Sequence, residues 1–389
     1  MGSLSGLLVA DFSRVLAGPY ATMLLADLGA DVVKVERPGT GDDVRSWGPP
    51  YAEGEATYYL AVNRNKRSIA LDLAAGADAA TARDLALRAD VLVENLRPGT
   101  MARFGLGFEQ LRPHNPGLVY CSVTGFGAGE GAALPGYDLL AQAVGGLMSV
   151  TGEPGGPGTK TGVALVDVIT GLHAALGILA ALRHRDHTGE GQRVEVSLLS
   201  SLLSALTNHA AGYVAAGVVP AAMGNRHPSI APYEVYAAAD RPLVVAVGND
   251  RQFATLCAVL ERPDLAADPR FQTNAGRVAA RAPLGEALSA SFSAGTAADW
   301  CAALTAAGVP CGPINDLAGA FDLATGLGLA PVVEVPDERR EHPVRQVANP
   351  IGLSATPPAY RLAPPRLDED GDWVRRLLAD PSSAPDVDS

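Results

Sequence analysis

Leu7–Glu36 reads LLVADFSRVLAGPYATMLLADLGADVVKVE, and its pattern decides the fold class. Leu7–Phe12 (LLVADF) is an apolar run of strand length. The residues after Ala17-Gly18-Pro19 (YATMLLADLGA) repeat with helical period and stop at Gly29, and Asp31–Glu36 (DVVKVE) is β-branched and alternating. Strand, helix and strand in so short a span make a βαβ unit, which requires a parallel sheet. The pattern recurs: Ser68–Leu73, Asp90–Glu94, Leu118–Ser122 and Arg193–Ser197 read as strands, and Ala77–Arg88 as a helix. The expected class is α/β, doubly wound, with ligands at the carboxyl ends of the strands.

Farther along, Leu198–Val214 reads as one apolar helix. A loop rich in glycine and proline ends near Pro232. Composition then changes, and Pro242–Gly248, Arg251–Leu260, Ala282–Phe292 and Ala297–Ala307 predict a smaller α+β domain. Past Asp316 the chain is proline-rich and reads as extended, closing on Asp372–Leu378 and a frayed polar tail. The expected division is a large domain over 1–215, a small one over 216–315, and a return through 316–389 that completes the large domain.

Composition narrows the function classes. A chain of 389 residues with 48% hydrophobic and 19% charged residues is globular. Its 30 basic against 42 acidic residues give a net charge of −12, which argues against a nucleic-acid surface. An anionic ligand therefore needs a local basic pocket. Cys121, Cys257, Cys301 and Cys311 form no CxxC pair and read as buried thiols of a reducing compartment. With no basic, apolar leader at the start, the expected location is cytoplasmic. No metal is expected, because the histidines lack partners at ligand spacing. G-x-G-x-x-G and G-x-S-x-G are absent, which removes the dinucleotide fingerprint and the nucleophile elbow.

One further stretch carries chemistry. Thr161–Leu182 (TGVALVDVITGLHAALGILAAL) holds a single carboxylate, Asp167, ahead of a helical run. Its length suits a membrane span, but Asp167 and His173 favour a helix buried in a large domain and no membrane partner. A helix beginning at Asp167 or Val168 leaves two readings for the carboxylate. It is an N-cap that satisfies free backbone N–H groups, or a nucleophile beside an apolar wall.

Motifs spread along the chain resemble those of the family III CoA-transferases, which include formyl-CoA transferase and the carnitine and bile-acid CoA-transferases. They are Leu16-Ala17-Gly18-Pro19, Val35–Asp42 (VERPGTGD), Asn65–Ile69 (NKRSI), Val93–Gly99 (VENLRPG), Gly136-Tyr137-Asp138, the Asp167 helix and Thr188–Gln192 (TGEGQ). The resemblance implies a Rossmann-like large domain and a small domain in a ring-shaped chain, two of which interlock as a homodimer. It implies coenzyme A, carried as an acyl-CoA substrate, with a carboxylic acid as the other reactant. Asp167 matches the family's nucleophile. Arg37 and Arg103 match arginines that contact CoA, and Leu16, Ala17, Leu71, Asp72, Leu73, Asn95, Leu96, Arg97, Gly136, Tyr137 and Asp138 fall in stretches lining the cofactor. Trp47 is placed to cover the acyl end or to serve a core or interface.

Two departures bear on the substrate. Leu16 stands where the formyl-transferring enzymes carry glutamine, and Gly224–Ser229 replaces their glycine-rich loop. Asn225, Arg226 and His227 are therefore candidates to meet the second carboxylate of a dicarboxylate, or to form a polar hinge. Backbone amides at the start of the Asp167 helix are expected to hold the developing oxyanion. The alternative within the family is a 2-methylacyl-CoA racemase or epimerase. That reaction needs a base beside the α carbon, for which Tyr137, with a reference pKa near 10, is a poor choice.

Overall fold

The computed structural model describes residues 2–380, so the expected frayed tail lies outside the described residues. The chain forms two compact units. One comprises residues up to Leu147, Lys160–Val219 and the chain from Ala330; the other comprises Met148–Thr159 and Pro220–Leu329. These limits differ from the expected ones: the second unit also takes a short early segment, and the return begins at Ala330 instead of 316.

In the first unit, β1 (Leu8–Asp11), α1 (Ala17–Asp27) and β2 (Asp31–Glu36) form the βαβ unit that the opening stretch predicts. There follow β3 (Lys66–Ala70), α2 (Gly76–Arg88), β4 (Val91–Glu94), β5 (Val119–Thr124), α3 (Asp138–Val144), α4 (Leu165–Thr188) and β6 (Arg193–Ser197). These six strands form one sheet in which every pair is parallel, in the order β3-β2-β1-β4-β5-β6. The order reverses between β1 and β4, where Val9 lies opposite Val32 on one side and Val91 on the other. That reversal opens a crevice at the carboxyl ends of these two strands.

The inner strands place apolar residues on both faces because both faces are covered. Leu8, Ala10, Val33 and Leu92 pack with Leu85 and Ala86 of α2. Val9, Val32, Val91 and Val119 pack on the other face with Ala21 and Leu25 of α1 and with Ala174, Ile178 and Ala181 of α4. By length and composition α4 is apolar enough to cross a membrane. Here one face is buried, and Leu172 and Leu176 on another face are exposed. Gly171 lets α4 approach α1 closely, since a Cβ there would sit 2.7 Å from the carbonyl oxygen of Ala17.

The expected single helix over Leu198–Val214 is two, α5 (Leu198–Ala205) and α6 (Thr207–Ala216). Thr207, with φ of 37°, breaks the helical run at their junction.

The second unit holds β7 (Tyr233–Ala237), β8 (Pro242–Ala246), α7 (Asp250–Val259), α8 (Arg281–Phe292), α9 (Ala297–Ala306), β9 (Cys311–Pro313) and α10 (Leu317–Gly326) as its main elements. Its antiparallel sheet runs β9-β8-β7, over a core that includes Tyr236, Leu243, Phe253, Leu256, Leu288 and Phe292. The helix α10 corrects the expected extended chain after Asp316, whose side chain caps it by accepting from the Gly319 N–H at 2.8 Å. All four cysteines are free; Cys121 and Cys257 are buried, whereas Cys301 and Cys311 are only half-buried.

Back in the first unit, β10 (Val332–Val335) and β11 (Val344–Val347) pair antiparallel, and α11 (Gly371–Ala379) packs Val374 and Leu377 into the α2 side of the core. The return also covers the edge strand β3. Asp370 accepts from the Ser68 N–H at 2.8 Å and Asp368 from the Ala70 N–H at 2.9 Å. These bonds remove donors that would otherwise template pairing with another chain.

Beneath the carboxyl ends of the sheet lies a polar network of fully buried charges. Lys66 contacts Asp11 at 3.1 Å, the Pro19 carbonyl at 2.9 Å and Asn63 at 3.0 Å. Lys34 contacts Asp42 at 2.8 Å and the Ser13 carbonyl at 2.9 Å. Buried charge is tolerated only when paired and hydrogen-bonded in this way. Lys66 thus ties β3 to β1 and to the start of α1.

Candidate active site

The helix carrying Asp167 starts earlier than expected. It opens at Leu165, and its N-cap, Ala164, makes no side-chain bond. Asp167 is the third residue in and does not cap the helix. Asp138 does, from the first turn of α3: its Oδ1 accepts from the N–H groups of Val166 at 2.8 Å and Asp167 at 3.2 Å. Its Oδ2 accepts from Gln142 at 2.6 Å, and Gln142 in turn accepts from the Thr161 N–H at 2.9 Å. Asp138, expected to line the cofactor, is a clamp on the helix start.

The clamp has an electrostatic effect. Burial, and then the nearby Asp138 carboxylate, push the pKa of Asp167 up to about 7. A carboxyl shifted toward neutrality in a crevice is a candidate functional group. Tyr58 stands within its field: burial, then Asp167 and Asp138, raise the phenol to about 12, so it stays protonated. Trp47 packs edge-on against Tyr58 with ring centroids 5.6 Å apart. At 41% exposure it is not a core residue.

Asp167 lines a crevice of about 200 Å³ together with Leu16, Ala17, Asn95, Leu96, Arg97, Gly136 and Tyr137. Its floor is a close backbone approach, since a Cβ on Gly136 would fall 2.8 Å from the Cα of Gly125. Asn95 is engaged structurally: its Oδ1 accepts from the Arg14 N–H at 2.9 Å and its Nδ2 donates to the Arg14 carbonyl at 2.7 Å. A second crevice of about 330 Å³, lined by Arg37, Leu71, Asp72, Leu73 and again Leu96, lies at the carboxyl ends of β1, β2 and β3. Arg14 lines both.

Arg103 lies outside the two linings. It ends the one-turn helix Thr100–Arg103 and reaches Thr100 at 3.4 Å, while the adjacent Phe104 lines the second crevice. Asn225, Arg226 and His227 belong to the second unit. Asn225 and Arg226 line a cleft there with Glu153 and Glu234, Arg226 pairs with Glu234 at 3.1 Å, and the His227 ring lies 5.3 Å from that of Tyr233. The charge of Arg226 is therefore already matched, which weakens its expected role with a substrate carboxylate.

The expected oxyanion donors are also engaged. Val166 and Asp167 donate to Asp138, Leu165 to Val163 and Val168 to Ala164. Three groups at this site carried no weight in the sequence reading: Arg14, Tyr58 and the Asp138 clamp. The available signal was position, because Arg14 lies in the loop just after β1, the strand at the sheet reversal.

The family model described as CoA-transferase family III matches residues 4–371. The chain belongs to CoA-transferase family III. Among relatives of this CoA-transferase, the succinate–glutarate CoA-transferase of Agrobacterium fabrum is 43% identical, over 94% of this chain and 93% of the relative. The acetyl-CoA:oxalate CoA-transferase of Acetobacter aceti is 40% identical, over 98% and 97%. A solved CAIB/BAIF family protein from Brucella suis matches with a TM-score of 0.86 at 40% identity, covering 97% of this chain and 99% of that one.

Proposed function

We propose that this CoA-transferase moves CoA from an acyl-CoA to a short dicarboxylic acid through a covalent intermediate on Asp167. The observation that carries the reading is the half-buried Asp167 carboxyl, shifted to about 7, at the wall of the crevice where the sheet order reverses. One Asp167 oxygen attacks the thioester carbonyl and expels the CoA thiolate, giving a mixed anhydride. The thiolate then attacks the aspartyl carbonyl, freeing the donor acid and leaving an aspartyl-CoA thioester. The acceptor carboxylate attacks that thioester carbonyl and releases the thiolate again. Finally the thiolate attacks the acceptor's acyl carbon, so the new acyl-CoA forms and Asp167 returns as a carboxylate. The buried apolar neighbours Val123 and Leu198 help keep water from the anhydride. The dicarboxylate class is supported by relatives named for succinate, glutarate and oxalate.

The test is a panel of acyl-CoA donors and acids in deuterium oxide, with CoA products separated by mass spectrometry. New acyl-CoA species without deuterium at the α carbon are expected. Rapid enzyme-dependent deuterium uptake in the absence of an acceptor overturns the reading in favour of a racemase.

We also propose a homodimer of interlocked, ring-shaped chains, as the family resemblance implies; the exposed Leu172 and Leu176 on α4 offer an apolar face for a partner to cover. Sedimentation at nanomolar concentration is expected to show dimer alone, since interlocked chains separate only by unfolding. A folded monomer in exchange would remove this assignment.

A further inference from the structure

Arg14 is held more rigidly than a crevice-lining cation requires. Both polar groups of its backbone are bound by Asn95. The next residue, Val15, has φ of 69°, in the left-handed region that β-branched residues avoid. That conformation is fixed by Asp42, which accepts from the Val15 N–H at 3.1 Å and is itself ion-paired to the fully buried Lys34 at 2.8 Å. Groups from β2 and from the loops after β2 and β4 thus impose one strained turn. Strain kept in this way accumulates where a side chain must be aimed.

The guanidinium so aimed carries spare charge. Arg14 Nη1 contacts Asp43 at 3.2 Å, and the same carboxylate also pairs with Arg37. Two guanidinium groups share one carboxylate, so the cluster keeps a net positive charge. Arg14 retains donors in the fork geometry that matches a carboxylate. Among the described residues, Arg14 and Arg97 are the cations lining the Asp167 crevice, and Arg97 is exposed. Pockets for drug-sized ligands run to about 300–1,000 Å³, so a crevice of about 200 Å³ suits a short acid.

We propose that Arg14 is the specificity-determining residue of the transferase: it binds the carboxylate of the acid substrate distal to the one reacting at Asp167. This rests on the proposed transfer of CoA to dicarboxylates. A diacid brought to Asp167 carries its second negative charge into a site that already holds Asp167 and Asp138, and only a cation in the crevice wall offsets that. A monoacid of equal length has no such need.

The experiment compares wild type, Arg14→Gln and Arg14→Lys with butyryl-CoA as donor and matched acceptors, glutarate against valerate. In Arg14→Gln the ratio of glutarate to valerate kcat/KM falls about 10- to 150-fold, the range for a lost hydrogen bond to a charged group. The fall is carried mainly by the KM for glutarate, and Arg14→Lys recovers part of it. Equal losses with both acids, or a loss carried by the KM for butyryl-CoA, overturn the proposal and make Arg14 a CoA contact. Calorimetric binding of the two acids to the same proteins gives a readout independent of turnover. Wild type that binds glutarate through Arg14 but transfers no CoA keeps this site and sinks the transferase reading. Binding of the two acids that does not depend on Arg14 sinks the proposal itself.

Discussion

Replacing Asp167 by alanine or asparagine lowers CoA transfer by at least about 10⁴-fold, the scale seen when a covalent nucleophile is removed. At pH 8 the folded protein gains stability from the asparagine change. An ordinary Asp ionises near 3.8, whereas Asp167 does so at about 7, because burial and Asp138 oppose its charge. Between those values the native chain holds a proton that the unfolded chain has released, so stability falls as pH rises through this window. At about 1.4 kcal/mol per unit, the cost of ionising Asp167 approaches ~4 kcal/mol above pH 7 and vanishes below pH 4. Asp167→Asn is isosteric with the protonated acid. It should therefore melt higher than wild type at pH 8 and alike at pH 4. If Asp167 is the nucleophile, the wild-type kcat/KM should fall on the acid side of pH 7, where its carboxyl is protonated. Near-wild-type turnover in either variant would remove the covalent mechanism, and an unchanged melting point at pH 8 would remove the electrostatic account.

Lys66→Met is expected to cost ~3–5 kcal/mol of stability, the usual penalty for removing one partner of a buried ion pair. Asp11 would keep the Ser13 N–H, the hydroxyls of Ser13 and Thr22 and the more distant Lys34. The Pro19 carbonyl would also lose its bond from Lys66, loosening the start of α1 at the crevice rim. Adding Asp11→Asn to Lys66→Met should recover much of the loss, because the stranded charge is then gone. Urea unfolding measures both effects. Equal midpoints for wild type and Lys66→Met would show that the pair contributes nothing.

The parallel sheet was legible in sequence because its signals are local. β2 falls where the alternation of DVVKVE places it, and β1 starts one residue late. The position of Asp167 beside an apolar helix was equally local. Its cap was not, because Asp138 lies 29 residues away, and only the folded chain brings the two together. The same distance problem hid the clamp of Asn95 on Arg14, 81 residues apart. Three strands escaped for another reason. Tyr233–Ala237 follows Pro232, and Val332–Val335 and Val344–Val347 lie among prolines and charges, so composition masked the alternation. The helix Leu317–Gly326 was hidden by its two glycines, although Asp316 supplies an ordinary N-cap signal.

The first unit is assembled from three separated segments, and this sets an order of events during synthesis. A nascent chain carries β1 to β6 long before α11 leaves the ribosome. Until then Leu85 and Ala86 of α2 have no Val374 or Leu377 to cover them, and the N–H groups of Ser68 and Ala70 lack Asp370 and Asp368. The second unit, most of it contiguous, is made in the interval and can close first. A stalled or shortened chain therefore presents an open β edge beside an apolar socket, the combination that chaperones bind and that aggregates grow from.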